Sequence, residues 1–340
     1  MNDLEKQTLN DAAEALRKVA GEAFEVTVDQ EIGRLYLGED KDVCVLEAIV
    51  KVGLTRNVLG AVVHQLPNER KNIVIIARYV TPQVADELKE KLGVQFIDTA
   101  GNAYINRPPW FIYTKGNKPA EREIHQPQAR HFQTAGLKVL FALFCDLGLV
   151  NAPYTKIAEN AGVAPATLTL VFRGLKEQGY LIEEGTRGQR RLVKRKELLR
   201  RWVEAFNNQL RPKQVIKRLR PRNDADRDWW KGVDLREQNA WWGGEVAAAK
   251  LTNYLIPAHV TIYKAGQLGK LQLMYGLEED PDGTIEIVNP FWGTLEAAYK
   301  GDVVHPILVY ADLLATNDAR NIETAEMIYE QELTRLIGEE

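Results

Sequence analysis

The sequence predicts a multidomain α/β chain: an N-terminal α/β domain, a central winged helix-turn-helix and a C-terminal α+β domain. Three observations carry that expectation. Short β-branched runs alternate with a capped helical pattern before residue 118. Thr155 to Val193 then holds two short helical patterns that meet at Gly162, followed by a basic hairpin. Beyond Arg222, paired tryptophans, short apolar runs and a long terminal helical pattern form a third region. At 340 residues and 45% hydrophobic content, the chain has enough apolar surface for two or three cores.

The first domain is expected over 1–118. Leu4, Leu9, Ala12, Ala13, Leu16 and Val19 have the spacing of an amphipathic helix. Strands are expected from Phe24 to Val28, Arg34 to Leu37, Val43 to Val50 and Asn72 to Ala77, with a short helix over Asn57–Gln65. Thr81 caps a helix that has Pro82 in its first turn and runs to Leu92, where Gly93 stops it. Val94 to Asp98 is the next strand, and Ala103 to Ile105 another, so this stretch contains a βαβ-like unit.

The second domain is expected over 130–210. Leu137, Leu140, Phe141, Leu143, Phe144 and Leu147 mark an apolar helix that begins near Thr134. A helix opening at Tyr154-Thr155 turns at Gly162 into a third, with Pro165 in its first turn. Leu168, Val171, Phe172 and Leu175 form the inner stripe of that third helix, which leaves Thr167, Thr169, Arg173 and Lys176 outside. Tyr180–Ile182 and Arg191–Val193 flank a glycine-containing hairpin loop, and Glu197–Leu210 is a further helix. Residues 211–223 read as a basic, proline-bracketed linker. The third domain, 224–338, is expected to hold a helix over Val246–Tyr254 and strands at His259–Lys264, Lys270–Tyr275 and Thr284–Val288. Ile307–Ala315 begins as strand or helix, and Asn321–Leu336 is a helix.

Formal net charge is only -3, so the whole molecule is not a general polyanion binder. Charge is uneven, however: Arg187 to Arg222 holds fourteen Lys or Arg against two Glu. Cys44 and Cys145 are too few and too far apart for a disulfide framework or a zinc cluster. There is no signal-peptide core and no apolar run of membrane-span length, so a cytoplasmic chain without membrane attachment is expected. No phosphate loop, nucleophile arrangement or metal motif emerges, and no cofactor, metal or catalytic residue is assigned. His125 and His131 are expected to be exposed boundary residues.

A helix read into a major groove needs short or hydrogen-bonding residues on its first exposed turns. Pro165, Ala166, Thr167 and Thr169 meet that need, and Arg173 and Lys176 suit the phosphate backbone. Thr155, as cap of the preceding helix, places backbone amides for a phosphate. Arg187, Arg190 and Arg191 form the wing, although alternation puts the last two on opposite faces. One winged helix reads a short site, so a homodimer or a repeated operator is expected.

Two other readings stay open. A metal-dependent DNA nuclease needs a carboxylate, one residue, then lysine. Here Glu47 is followed by Ala48 and Ile49, with Lys51 two residues further on, and Asp29 and Asp42 are weak metal partners. The first domain is therefore expected to be nuclease-like but inactive, with Glu47 paired to Arg34 or Arg56. The second alternative is a non-catalytic scaffold for protein association. Asp98 is expected to cap a tight turn at Gly101-Asn102, and Trp241-Trp242 to wedge between elements as core or interface.

Three phrases carry a family resemblance. They are I-I-A-R-Y-V-T-P-Q-V-A-D-E-L with I-D-T-A-G-N-A-Y, the winged helix itself, and L-R-E-Q-N-A-W-W-G-G-E-V-A-A with H-P-I-L-V-Y-A-D-L-L-A-T-N-D-A-R-N. With them the chain resembles AbiEi-like transcriptional regulators, the antitoxins of type IV toxin–antitoxin systems. The resemblance implies a repressor that binds double-stranded DNA at its own promoter. It also implies a nucleotidyltransferase-like toxin opposed without a stable complex. Operator binding then falls to Thr155, Thr167, Thr169, Arg173 and the wing arginines, and antitoxicity to the C-terminal domain. About 130 residues precede the winged helix, a departure from the family. This added domain resembles restriction-endonuclease-like folds, with Ile49 breaking the catalytic pattern.

Overall fold

The structure is a computed structural model. It describes residues 1, 3–21, 24–38, 43–51, 53–55, 59, 62, 66–67, 70–119, 130–184, 188–222, 229–295, 298–316 and 318–338. The chain divides into two compact units, Met1–Pro127 and Gln128–Glu340.

In the first unit, helix α1 (Asp3–Ala20) covers one face of a seven-stranded sheet ordered β1 to β7 in sequence. The strands are β1 (Val26–Asp29), β2 (Arg34–Leu37), β3 (Cys44–Lys51), β4 (Ile73–Ala77), β5 (Gln95–Asp98), β6 (Ala103–Arg107) and β7 (Trp110–Thr114). Only β3, β4 and β5 run parallel. The β4–β5 crossover is helix α2 (Pro82–Asp86), extended by a π-turn over Glu87–Lys91. The Thr81 hydroxyl accepts the Val84 amide, as the cap reading requires. β4 is buried at every position because helices cover both its faces, which explains its unbroken apolar run. Strand β7 is absent from the sequence expectations: its Trp110-Phe-Ile-Tyr-Thr run abuts the polar boundary and reads as its edge. The expected helix at Asn57–Gln65 lies mostly outside the described residues.

The second unit opens with α3 (Thr134–Cys145), α4 (Tyr154–Ala161), α5 (Pro165–Glu177) and an antiparallel ribbon of β8 (Leu181–Glu184) and β9 (Gln189–Leu192). Helix α6 (Arg195–Ala205), continued as a π-turn over Phe206–Leu210, closes their core, with the Trp202 indole donating to the Leu137 carbonyl. His131 is wholly buried here, not exposed: its imidazole packs on Phe132 and Gly174, and Gln178 faces its Nε2 at 3.2 Å. Burial lowers its pKa to about 4.

The basic linker is not a linker. Residues 211–221 form a short helix, α7 (Arg211–Gln214), and strand β10 (Val215–Pro221) inside a second seven-stranded sheet. That sheet is ordered β13-β10-β14-β12-β11-β16-β15. Its other strands are β11 (Ala240–Gly243), β12 (Val260–Lys264), β13 (Leu277–Glu279), β14 (Ile285–Val288), β15 (Tyr299–Lys300) and β16 (Val303–Val304). The basic residues in and just after β10 pair with its neighbours. Lys217 pairs with Glu279, Arg218 with Glu286 at 3.1 Å and Arg222 with Glu278 at 2.8 Å. Cross-strand pairs of opposite sign favour this register.

Helices α8 (Gly244–Thr252), α10 (Pro306–Ala315) and α11 (Ala319–Ile328, then a π-turn to Leu333 and α12 at Thr334–Ile337) complete the unit. Ile307–Ala315 is thus helical. Lys270–Tyr275, expected as a strand, lies in helix α9 (Gly269–Tyr275), which ends on Gly276 in the left-handed region. Its alternating L-Q-L-M-Y pattern misleads because only Leu271 is buried. Trp241 stacks on Tyr299 with centroids 4.0 Å apart, and buried Trp242 donates to the Val233 carbonyl, so the tryptophan pair is structural. Glu245 accepts the Ala258 and His259 amides and the Asn321 amide group, tying α8 to α11.

The 130–210 and 224–338 regions share one body. Phe141, Trp202 and Phe206 meet Phe291 and Trp292 in a continuous aromatic wall. The Gly293 amide donates to the Asn160 carbonyl at 2.8 Å, beside the Gly162 turn. A Cβ at Gly293 would lie 1.9 Å from the Glu159 carbonyl oxygen. Gly293→Ala is therefore expected to destabilise the unit by about 1–3 kcal/mol, as overpacking against backbone does. A shift in the urea midpoint checks this, and an unchanged midpoint would mean that the α4–α5 turn does not rest on this segment.

Candidate nucleic-acid interface

Helix α5 owes its two faces to its spacing. Leu168, Val171, Phe172 and Leu175 are buried against α3 and α4. Ala166, Thr169, Arg173 and Lys176 follow at intervals of three, four and three residues, so they form one exposed stripe. At 1.5 Å per residue it is roughly 15 Å long, a length that fits a major groove. Pro165 is exposed at the start of this stripe. Half-buried Thr167 instead faces a groove of about 410 Å³, shared with Gln133, Thr134 and Ala135 at the start of α3.

Three helix starts are bare of side-chain caps: Gln133 before α3, Pro153 before α4 and Ala164 before α5. Thr155 is exposed but is not the cap expected of it. Pro153 holds that position, and α4 begins one residue earlier, at Tyr154. Uncapped first-turn amides carry the positive end of the helix dipole and accept anions.

The charged candidates divide. Arg173 is exposed and has no ion-pair partner among the described residues. Lys176 reaches Glu183 at 2.5 Å, and Arg191 reaches Glu184 at 2.7 Å, both at the surface. Arg190 is turned inward. Its guanidinium donates to the Ala152 carbonyl at 2.8 Å and covers the Tyr154 and Phe172 rings. Its backbone is clasped by Asn151, which both donates to and accepts from it. Arg190 thus fixes the ribbon to α4 and is not available to a phosphate. Asn151 gave no signal in the sequence, because its partner lies 39 residues away. Arg187 lies outside the described residues.

The nuclease residues do not assemble. Asp29 accepts the Glu31 and Ile32 amides in the β1–β2 turn. Glu47 is exposed opposite Arg34 in the strand register, and Lys51 is buried. Asp42 and Arg56 lie outside the described residues. Among the described residues no group of three His, Cys, Asp or Glu side chains can hold a metal ion. Asp98 is the turn clasp expected, buried and accepting the Val80, Ala100 and Asn102 amides; burial raises its pKa against those bonds. Among the described residues no helix is long and apolar enough to cross a membrane.

Residues 191–334 match the family described as transcriptional regulator, AbiEi antitoxin, type IV toxin–antitoxin system. An antitoxin-type regulatory domain is thus present from within β9 to the first residue of α12, and it supports a transcriptional-regulator and antitoxin function for the C-terminal part. No curated protein and no solved structure matches the chain.

Proposed function

Proceeding from that regulatory domain, we propose that residues 130–210 form a winged helix-turn-helix that holds it on duplex DNA. On this reading the chain is a sequence-specific repressor of its own promoter, the antitoxin of a type IV pair. The observation that carries the proposal is the α5 stripe. It has the length and side chains of a groove-reading helix, Arg173 is its cation without an ion pair among the described residues, and three uncapped helix starts lie in the same three-helix unit. Thr169 would meet base edges, Arg173 a phosphate, and the first-turn amides neighbouring phosphates, while Thr167 is turned toward the start of α3. A stripe this short reads few base pairs, which favours a homodimer on a repeated site. The toxin partner, nucleotidyltransferase-like, would be opposed without a stable complex. We read the N-terminal unit as a restriction-endonuclease-like sheet without a catalytic role, supported by its mixed sheet around parallel β3, β4 and β5.

The test separates reading from anchoring. Thr169→Ala is expected to narrow the preference for promoter over scrambled duplex by about tenfold. Arg173→Ala is expected to weaken both duplexes alike and to lower the salt dependence by about one phosphate contact. Anisotropy titrations across a salt series measure both effects. If neither variant changed either quantity, α5 would not be the DNA-facing helix.

A further inference from the structure

The N-terminal unit contains a cleft of about 900 Å³ where β4 and β5 begin and β6 ends. Arg70, Lys71, Gln95, Tyr104, Asn106 and Arg107 line it, and no carboxylate does so among the described residues. Arg70, Lys71 and Arg107 have no ion-pair partner among the described residues, on a chain whose net charge is -3.

The walls are held in place before any ligand arrives. The Gln95 amide group donates to the Lys71 and Ile73 carbonyls, and its carbonyl accepts the Asn106 amide. One side chain therefore ties the loop carrying Arg70 and Lys71 to the strand carrying Arg107. At the rim, β7 places Phe111 directly across from Asn106, so the two side chains share a face of the sheet. Phe111 is 66% exposed and meets the Tyr104 ring edge-on. An exposed ring beside unpaired cations is the arrangement that takes a base by stacking and its phosphate by charge.

We propose that this cleft binds a nucleotide, with the phosphate on Arg70 and Lys71 and the base on Phe111. The site is independent of the α5 surface. The same chemistry is offered by a free nucleotide and by one unit of a single strand.

The experiment uses the full chain, with fluorescent ATP and fluorescent twelve-residue oligothymidine as probes read by anisotropy. Each is titrated with and without Arg173→Ala, so that binding at α5 is recognised separately. Lys71 and Phe111 are exposed, and an unchanged melting temperature shows that their variants fold. Lys71→Glu is expected to weaken the bound probe by about tenfold or more, from loss and reversal of one phosphate-facing charge. Phe111→Ala is expected to weaken it by at least about fivefold, the lower end for a stacked base. Tighter binding of ATP assigns a free nucleotide, and tighter binding of the oligomer a single strand. No binding of either probe by the native chain overturns the proposal, as does binding unaffected by both variants. Loss with Lys71→Glu but not with Phe111→Ala overturns the nucleotide assignment, since no base contact would remain.

Discussion

Replacing Arg211 by alanine is expected to cost about 3–5 kcal/mol of folding stability, the loss usual when one partner of a buried ion pair is removed. Its guanidinium reaches Asp312 at 2.8 Å and Glu286 at 2.5 Å. The Tyr263 hydroxyl donates to the same Asp312 carboxylate. Burial alone pulls the Arg211 pKa down, but Asp312, Tyr263 and Glu286 outweigh it and the net shift is upward. For Asp312 burial is the largest influence and raises its pKa even against Arg211. The network is thus expensive to bury and costly to break. A loss of this size is a large fraction of a typical domain's stability. Arg211→Met together with Asp312→Leu removes both charges and should recover most of the loss. Urea denaturation of the three proteins decides the matter. A single-variant loss below about 1 kcal/mol would mean that the network is solvated rather than buried.

Mild acid is expected to destabilise the second unit. His131 and His305 are both buried, and burial lowers each to about 4, with Arg201 and Lys300 adding to the effect. His305 Nδ1 accepts the Ile307 amide as the cap of α10, which requires a neutral ring. An unfolded imidazole titrates near 6.5, so the unfolded chain binds more protons between about 6.5 and 4. Stability is therefore full above that window, falls as pH drops through it, and levels off below. From pH 7.5 to 5 the expected loss is about 2 kcal/mol per histidine as an upper bound. Asp98 and Asp312, raised by burial, act with the opposite sign towards the carboxylate range, so the comparison belongs above pH 5. His305→Asn keeps a capping acceptor and should remove its share of the slope. Urea midpoints at pH 7.5 and 5 test this, and equal slopes for native and variant would place the titration elsewhere.

What the sequence shows and hides follows the range of the interaction. The β4–α2–β5 crossover was legible because Thr81, Pro82 and Gly93 punctuate it locally. The α4–α5 pair was legible because Gly162 takes the left-handed conformation and the inner stripe of α5 keeps helical spacing. The pairing of charges was not legible. Lys217 and Arg222 meet glutamates 62 and 56 residues away, so a strand core to the sheet reads locally as a basic linker. The same distance hides Arg190, whose partners at Asn151 and Ala152 lie in the turn before α4. A count of basic residues therefore overstates the free positive charge, since Lys217, Arg218 and Arg222 are paired and Arg190 is turned inward.

The proposal that α5 faces DNA is the central claim, and duplex binding at the promoter upstream of this gene tests it most directly. Native chain, the pair Thr169→Ala with Arg173→Ala, and the pair Arg220→Ala with Arg222→Ala should be titrated at one salt concentration. The expected result is that the α5 pair loses at least about tenfold in affinity, while the Arg220 and Arg222 pair stays within about twofold of native. Loss confined to the Arg220 and Arg222 pair would contradict the proposal, and so would a native chain that binds promoter no better than scrambled duplex.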